Sequence, residues 1–259
     1  MNYLEEYYNS FNEEERLLSR HGQVEYLTTM KYIHQYLEGM TNPEILEVGA
    51  GTGRYSVTLA KEGYRVTAVE LVARNLEVLR SKLDGAEPIT AMQGNALDLS
   101  DLPDHAYDMT MLLGPMYHLY TREDKLQAMR EALRVTKPGG YILVAYCMNE
   151  AAVIGYGFVR NHAKELRKSL VTPDWHCISE PKELFELVRT EDIASLDAEF
   201  PVERLRLVAT DGASHYLREC IGAMDDEVFS LWLDYHFSVC ERQDLVGASN
   251  HTLDILRKK

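Results

Sequence analysis

Two carboxylates and three closely spaced glycines have the residue types and spacing of a site for a ribose-containing ligand. Glu47 lies two residues before the run Gly49-Ala50-Gly51-Thr52-Gly53, and Glu70 ends the apolar segment 65–70 that follows. Glycines lack a Cβ atom and adopt positive φ angles, so the backbone can turn sharply and approach a ligand closely. An acid that ends the second strand of a doubly wound sheet typically holds ribose hydroxyls. The pattern therefore predicts a strand, a glycine-rich turn and a helix that together bind such a ligand.

A polar turn farther along the chain adds a third part of this site. Asn95 and Ala96 lie in the segment Gln93–Asp98, directly after a predicted third strand. An asparagine side chain both donates and accepts hydrogen bonds, which suits the edge of an adenine ring. The glycine spacing G-x-G-x-G differs from the G-x-G-x-x-G of dinucleotide-binding folds, which counts against a nicotinamide or flavin cofactor.

In chain order, these segments resemble the class I S-adenosylmethionine-dependent methyltransferases over about residues 40 to 148. Two further segments carry the resemblance, Leu113-Gly114-Pro115-Met116-Tyr117-His118 and Leu133–Gly140. The chain departs from the family at Asn95, where the family usually has Asp, but an amide oxygen can still accept a hydrogen bond. The resemblance implies S-adenosyl-L-methionine as cofactor and an enzyme of class EC 2.1.1.

The resemblance also implies a role for each matching residue. They are Glu47 for the methionine amino group, Gly49 and Gly51 for close backbone approach, Gly53 for strand–helix packing, Glu70 for the ribose hydroxyls, Leu71 for the adenine face, Asn95 and Ala96 for the adenine edge, and Leu113 and Gly114 for the methionine amino group. Arg20 is a further candidate, for the methionine carboxylate, and an ordinary surface arginine is an equally open interpretation. The cofactor's methyl is already electrophilic, so in-line positioning of the acceptor supplies much of the rate.

Two residues are candidates for the catalytic site because they follow the predicted fourth strand, near the expected acceptor. They are Tyr117 and His118, with His118 as the candidate general base. Such a base is needed only when the acceptor is protonated at the working pH.

Composition limits the remaining classes of function. The 259 residues carry a net charge of −14 and no basic run, so a nucleic-acid substrate is not expected. No apolar stretch approaches the length of a membrane span, and the acidic N-terminus lacks the apolar core of a signal peptide. The cysteines form no C-x-x-C pair and the histidines no metal-binding spacing, so we expect a cytoplasmic protein without a metal.

Alternating strand and helix patterns predict an α/β fold with a Rossmann-like doubly wound sheet. We expect seven strands, mostly parallel, with an antiparallel last strand, in a single domain. The predicted regions are an N-terminal helical arm, a cofactor-binding core, and a segment that completes the sheet, at residues 1–43, 44–148 and 149–259.

Two predicted insertions, 149–178 and 211–250, are not explained by such a core and are expected to cap the acceptor site. Predicted helices span 180 to about 196 and 226–242. The second is apolar around most of its circumference, which indicates burial in the monomer, in a homodimer contact or under a substrate cap.

The predicted partner is a small-molecule methyl acceptor, in a monomer or a homodimer. Two other functions stay open at this point: a nucleotide-dependent Rossmann oxidoreductase, and a non-catalytic module that binds S-adenosylmethionine.

Overall fold

A computed structural model describes residues 3–10 and 17–259 of the chain. One sheet runs through it, in the order β3-β2-β1-β4-β5-β8-β7, with β6 pairing with β5. The strands are β1 Glu44–Val48, β2 Arg65–Glu70, β3 Ile89–Gln93, β4 Tyr107–Leu112, β5 Thr136–Met148, β6 Leu187–Val188, β7 Val202–Ala209 and β8 His251–Lys258. Strands β1 to β6 pair in parallel, and β8 is antiparallel to both β5 and β7. The predicted fold class is confirmed.

The helices lie before, between and after these strands. They are α1 Tyr3–Ser10, α2 Arg20–Leu37, α3 Ser56–Lys61, α4 Ala73–Ser81, α5 Arg122–Val135, α6 Asn149–Ala152, α7 Ala163–Glu165, α8 Thr190–Asp197, α9 Arg218–Gly222, α10 Asp226–Val239 and α11 Gln243–Val246. Short 3₁₀ or π-helical segments span Pro115–His118, Val153–Val159, Leu166–Leu170, Pro181–Glu183 and Gly212–His215. In the described residues, no helix is both long and apolar enough to cross a membrane.

The strand order reverses beside β1, and this reversal creates the binding edge of the sheet. Strand β1 pairs with β2 on one side and with β4 on the other, so the chain leaves the carboxyl ends of β1 and β4 in opposite directions. A crevice forms between such diverging connections, and ligands of doubly wound folds bind there.

The glycine turn after β1 needs its glycines for conformation and for space. Gly49 and Gly53 have φ angles of 77° and 83°, in the left-handed region. A Cβ atom on Gly53 would lie 2.6 Å from Cγ of Leu79 in α4. The turn can therefore pack against α4 only with glycine at this position.

The predicted helix over 180–196 is wrong in its first half. Leu184 has a φ of 70°, which interrupts any helix there. Leu187 and Val188 form β6 against Cys147 and Met148, and the helix begins only at Thr190. This segment therefore contributes an eighth, very short strand that the sequence pattern did not indicate.

The second insertion packs on the N-terminal helix and leaves an apolar face exposed. Ile221 of α9 and Phe229 of α10 are buried against Val24 of α2. On the opposite face of α10, Leu231 and Tyr235 are 63% and 53% exposed. Among the residues that the structure describes, nothing buries this helix on several sides as its composition indicated.

We predict that Gly53→Ala destabilises the protein more than Gly63→Ala. Both positions have positive φ, so alanine costs about 1–2 kcal/mol of backbone strain at each. Only at Gly53 does the new methyl also meet Leu79 and Val57, which adds about 1–3 kcal/mol of overpacking, while Gly63 faces open space. Urea unfolding measures both free energies, and equal losses would contradict this account of the turn.

Candidate functional site

A cavity of about 210 Å³ lies over the glycine turn, and we call it the glycine-turn cavity. It brings together eleven of the thirteen residues that the sequence indicated. They are Glu47, Gly49, Gly51, Glu70, Leu71, Asn95, Ala96, Leu113, Gly114, Tyr117 and His118. Gly53 and Arg20 are the two that do not line it. Residues from β1, β2, β4 and the turn after β3 thus meet at one edge of the sheet.

Glu70 is held rigidly at the tip of β2. The amide of Gly51 donates to its Oε2 at 2.7 Å, and the amide of Val72 donates to its Oε1 at 2.8 Å. Each carboxylate oxygen can accept more than one hydrogen bond. The carboxylate is therefore oriented by the backbone of two turns at the edge of the cavity.

Glu47 lies deeper in the same cavity and is 1% exposed. The amide of Ser56 donates to its Oε2 at 2.9 Å, and the Ser56 hydroxyl donates to the same oxygen. Burial raises the pKa of Glu47 to about 8, although the hydrogen bonds from Ser56 oppose the shift. A positive group entering the cavity would favour the ionised carboxylate, so Glu47 suits an ammonium group.

Asn95 has a local structural role that the sequence did not indicate. Its Oδ1 accepts from the amide of Leu97 at 3.0 Å and so closes a turn after β3. The oxygen assigned to the adenine amino group is therefore already engaged, though it retains a second lone pair. Leu71 lies at the same end of the cavity and is 39% exposed.

A second cavity of about 580 Å³ adjoins the first, and we call it the tyrosine cavity. Its lining comes from α1, the segment after β4, the end of β5, the first insertion, the segment 179–187 that leads into β6, and the start of β8 together with the residue before it. The lining residues are Tyr7, Tyr8, Tyr117, Cys147, Ala152, Tyr156, Glu165, Leu166, Leu170, Cys177, Ile178, Ser179, Glu183, Phe185, Leu187, Asn250 and His251. Tyr8 and Tyr117 line both cavities, so they form the wall between them.

The predicted cap is present only in part. The first insertion and the arm line the tyrosine cavity, but among the described lining residues the second insertion contributes only Asn250. Trp175 of the first insertion lines neither cavity and instead packs against a cluster that includes Val153 and Leu166.

His118 is partly buried, and both of its ring nitrogens are hydrogen-bonded. Nδ1 lies 2.8 Å from the carbonyl oxygen of Leu184, so it carries the proton and donates. Nε2 lies 2.9 Å from the Tyr8 hydroxyl and accepts from it. Burial lowers the pKa of His118 to about 4, while the bond to Leu184 opposes this. The imidazole is therefore neutral at physiological pH and too weakly basic to remove a proton from an acceptor efficiently.

Known proteins share this arrangement. The family model described as a methyltransferase domain matches residues 46–144, which span β1 to β5. Residues 46–144 are thus a methyltransferase domain, similar to those of the class I S-adenosylmethionine-dependent methyltransferases. Most residues that line the glycine-turn cavity lie within this domain, and S-adenosyl-L-methionine is its cofactor.

Two curated relatives are similar to this methyltransferase in sequence, and a solved structure is similar to it in fold. The ubiquinone biosynthesis O-methyltransferase of Methylocella silvestris is 26% identical over 187 residues, 70% of this chain and 68% of that protein. Its counterpart from Vibrio cholerae is 25% identical over 162 residues, 61% of this chain and 64% of that protein. An S-adenosylmethionine-dependent methyltransferase of Thermotoga maritima, named as a possible histamine N-methyltransferase, shares the fold with a TM-score of 0.58 at 19% identity over 99% of both chains.

Arg20 lies outside the glycine-turn cavity. Its guanidinium donates to Asp226 Oδ1 at 2.7 Å and lies over the ring of Phe229, on the second insertion. Arg54, directly after the third glycine, lines the glycine-turn cavity instead. Its Nε is buried without a hydrogen-bond partner among residues 3–10 and 17–259. The sequence did contain this signal, an arginine that begins the segment after the glycines.

A buried charged cluster of three residues lies at the β8 end of the tyrosine cavity. His251 Nδ1 is 3.2 Å from Glu25 Oε2 and 3.2 Å from Asp211 Oδ2. Burial acts to lower the pKa of His251, but these two carboxylates more than offset it and hold the pKa well above its usual value. The three groups also have the types and spacing to hold a metal ion, so the expectation of no metal stays a prediction. The sequence did not indicate this cluster, because Glu25 of α2 lies 186 residues before Asp211, and Asp211 lies 40 residues before His251.

We predict that Glu70→Ala weakens the binding of S-adenosylhomocysteine by about 10- to 150-fold. A hydrogen bond to a charged acceptor contributes about 1.5–3 kcal/mol, and the substitution removes both acceptor oxygens. Glu70→Gln should lose less, since one acceptor oxygen remains. Calorimetry measures the dissociation constants, with Glu77→Ala on the exposed face of α4 as the control. An unchanged constant in a folded Glu70→Ala variant would show that this carboxylate does not hold the ribose.

We predict that Arg54 holds the carboxylate of the cofactor's methionine. Arg54→Gln should then weaken S-adenosylhomocysteine by about 10-fold or more, because it removes a charged hydrogen bond. The same substitution should leave the affinity for 5′-methylthioadenosine nearly unchanged, since that ligand lacks the amino acid group. Equal losses for both ligands would mean that Arg54 only packs against Tyr26, whose ring lies 4.4 Å from the guanidinium carbon.

Proposed function

We propose that this methyltransferase transfers the methyl group of S-adenosyl-L-methionine to a small molecule held in the tyrosine cavity. The observation that carries the proposal is the shared wall: Tyr8 and Tyr117 border both cavities, so a donor in one and an acceptor in the other meet there. A cavity of about 580 Å³ fits a small ligand and is too narrow for a folded macromolecule.

The proposed roles of cofactor and protein follow from the residues on each side of the wall between the two cavities. When bound, the cofactor supplies an electrophilic methyl group on a positively charged sulfur. Glu70 accepts hydrogen bonds from the ribose hydroxyls, and Glu47 faces the amino group. Positioning of the acceptor along one axis with the methyl and the sulfur then supplies much of the acceleration.

Tyr117 and His118 act in this proposal as positioning residues for the wall. The Tyr117 hydroxyl donates to the carbonyl oxygen of Leu113 at 2.9 Å, which fixes the ring against the end of β4. Neutral His118 joins Tyr8 of the arm to Leu184 of the loop before β6. This chain of hydrogen bonds holds three separate segments together around the transfer point and excludes water from it.

The relatives favour a small acceptor without fixing the acceptor atom. The curated relatives named above are O-methyltransferases of ubiquinone biosynthesis, and the Thermotoga protein is named for transfer to nitrogen. Nothing in the comparisons supports an oxidoreductase. We place the reaction in the cytosol, where the four free cysteines would stay reduced.

The test is turnover of S-adenosylmethionine with a library of small hydroxyl, amine, thiol and carbon acids. We expect acceptor-dependent formation of S-adenosylhomocysteine, and Glu70→Ala should reduce it through weaker cofactor binding. Tight cofactor binding without turnover on any library member would favour a non-catalytic module instead. Binding of NAD in place of S-adenosylmethionine would overturn the cofactor assignment as well.

A further inference from the structure

The tyrosine cavity combines aromatic rings with acidic groups. Five of its lining residues are aromatic: Tyr7, Tyr8, Tyr117, Tyr156 and Phe185. Its charged lining residues are Glu165, Glu183 and His251, and none of the described residues that line it is a lysine or an arginine. Such a lining is poorly suited to a carboxylate, phosphate or phenolate ligand, because an anion would find no positive partner that is not already paired.

Three of the aromatic rings contact one another at steep angles, and we call them the aromatic box: Tyr7, Tyr117 and Phe185. The ring planes of Tyr7 and Phe185 are 87° apart with centroids at 6.1 Å. Those of Tyr117 and Phe185 are 52° apart with centroids at 6.0 Å. Rings inclined to one another in this way line the same cavity, and the face of an aromatic ring attracts a cation.

The charged groups around the aromatic box carry a net negative charge. Glu183 has a buried Oε2 without a hydrogen-bond partner in the described part of the chain, and its Oε1 lies 3.6 Å from the exposed Lys182. Glu165 lies at the more exposed side, where the hydroxyl of Tyr156 donates to it at 3.4 Å. His251 carries a positive charge, but the two carboxylates that pair with it leave that cluster with a net charge of −1.

We propose that the acceptor is an amine that binds in the tyrosine cavity as its ammonium ion. The aromatic box and Glu183 supply the recognition, and the rest of the cavity accommodates an apolar body of moderate size. The inference rests on the proposed function, since it names the class of substrate for the same site.

The transfer balances for an amine acceptor. The ammonium nitrogen gives one proton to the Glu183 carboxylate, and its freed lone pair forms the new N–C bond. The C–S bond breaks and its electron pair stays on sulfur, which becomes a neutral thioether. The product nitrogen carries the positive charge that the sulfonium lost, so the total charge is unchanged.

The experiment compares ammonium ligands with neutral ligands of the same shape. Choline is paired with 3,3-dimethylbutan-1-ol, and 2-phenylethylamine is paired with 2-phenylethanol. Binding is measured by ligand-observed NMR with and without S-adenosylhomocysteine. We expect each cation to bind about 10-fold or more tightly than its neutral partner, because only the cation interacts with ring faces and carboxylate.

Variants of Phe185 and Glu183 test whether these residues cause the preference for cations. Phe185→Leu keeps an apolar side chain without a ring face, and Glu183→Gln keeps the shape without the charge. Each should reduce cation affinity about 10-fold and leave the neutral ligand nearly unchanged. Glu191→Gln, an exposed residue of α8 outside the cavity, is the matched control and should change neither.

The outcomes separate this inference from the proposed function. All variants should bind S-adenosylhomocysteine like the wild type, which shows that they are folded. Neutral ligands that bind as tightly as the cations, or cations that do not bind, would overturn the amine assignment. The methyltransferase assignment would then still stand, as long as the cofactor product binds. Loss of cofactor binding in the wild type would instead overturn the proposed function.

Discussion

The structure depends on one close approach between two strand ends. A Cβ atom on Gly49 would lie 2.7 Å from Cδ of Pro115, and a Cβ atom on Gly114 would lie 3.3 Å from the carbonyl oxygen of Gly49. The loops after β1 and β4 can therefore touch as they do only because position 49 is glycine, and glycine at position 114 keeps the contact close. Both glycines line the glycine-turn cavity, and Tyr117 and His118 follow in the second of these loops. A side chain at position 49 would separate the two loops, and the cavities on both sides would change shape.

Backbone hydrogen bonds extend this constraint to the acids of the site. Glu70 accepts from Gly51 and Val72, so its orientation follows from the glycine turn and not from its own side-chain preference. Glu47 accepts from Ser56 at the beginning of α3 and is kept from water by burial, which raises its pKa. The two carboxylates thus differ in role although both lie at strand ends: one is presented to the cavity by amides, and the other is a buried group that a cation can ionise.

The sequence predicted the parts of the site whose residues are close together along the chain. The strand, the glycine turn and Glu70 lie within 26 residues, so their spacing alone carries the geometry. What it could not predict depends on contacts between distant segments. His118 is engaged by Tyr8 and Leu184, which are 110 and 66 residues away, and no local pattern indicates that its nitrogens are occupied. The short strand β6 likewise exists only because Cys147 and Met148 present an open edge to it.

The contrast between local and distant contacts also bears on how such a protein can keep its cofactor while its acceptor changes. The glycine-turn cavity is built from β1 to β4, whose residues constrain one another through the sheet and the glycine contacts. The tyrosine cavity takes Tyr7 from the arm and Phe185 from the loop before β6, neither of which any sheet register fixes. The bonds of His118 join both segments to the end of β4, and the amide of Glu186 also donates to the carbonyl oxygen of Tyr117. Under the proposed function, substitutions in the loop before β6 can therefore alter charge and shape on the acceptor side at little cost to the cofactor side, so we propose that acceptor selectivity is set in that lining.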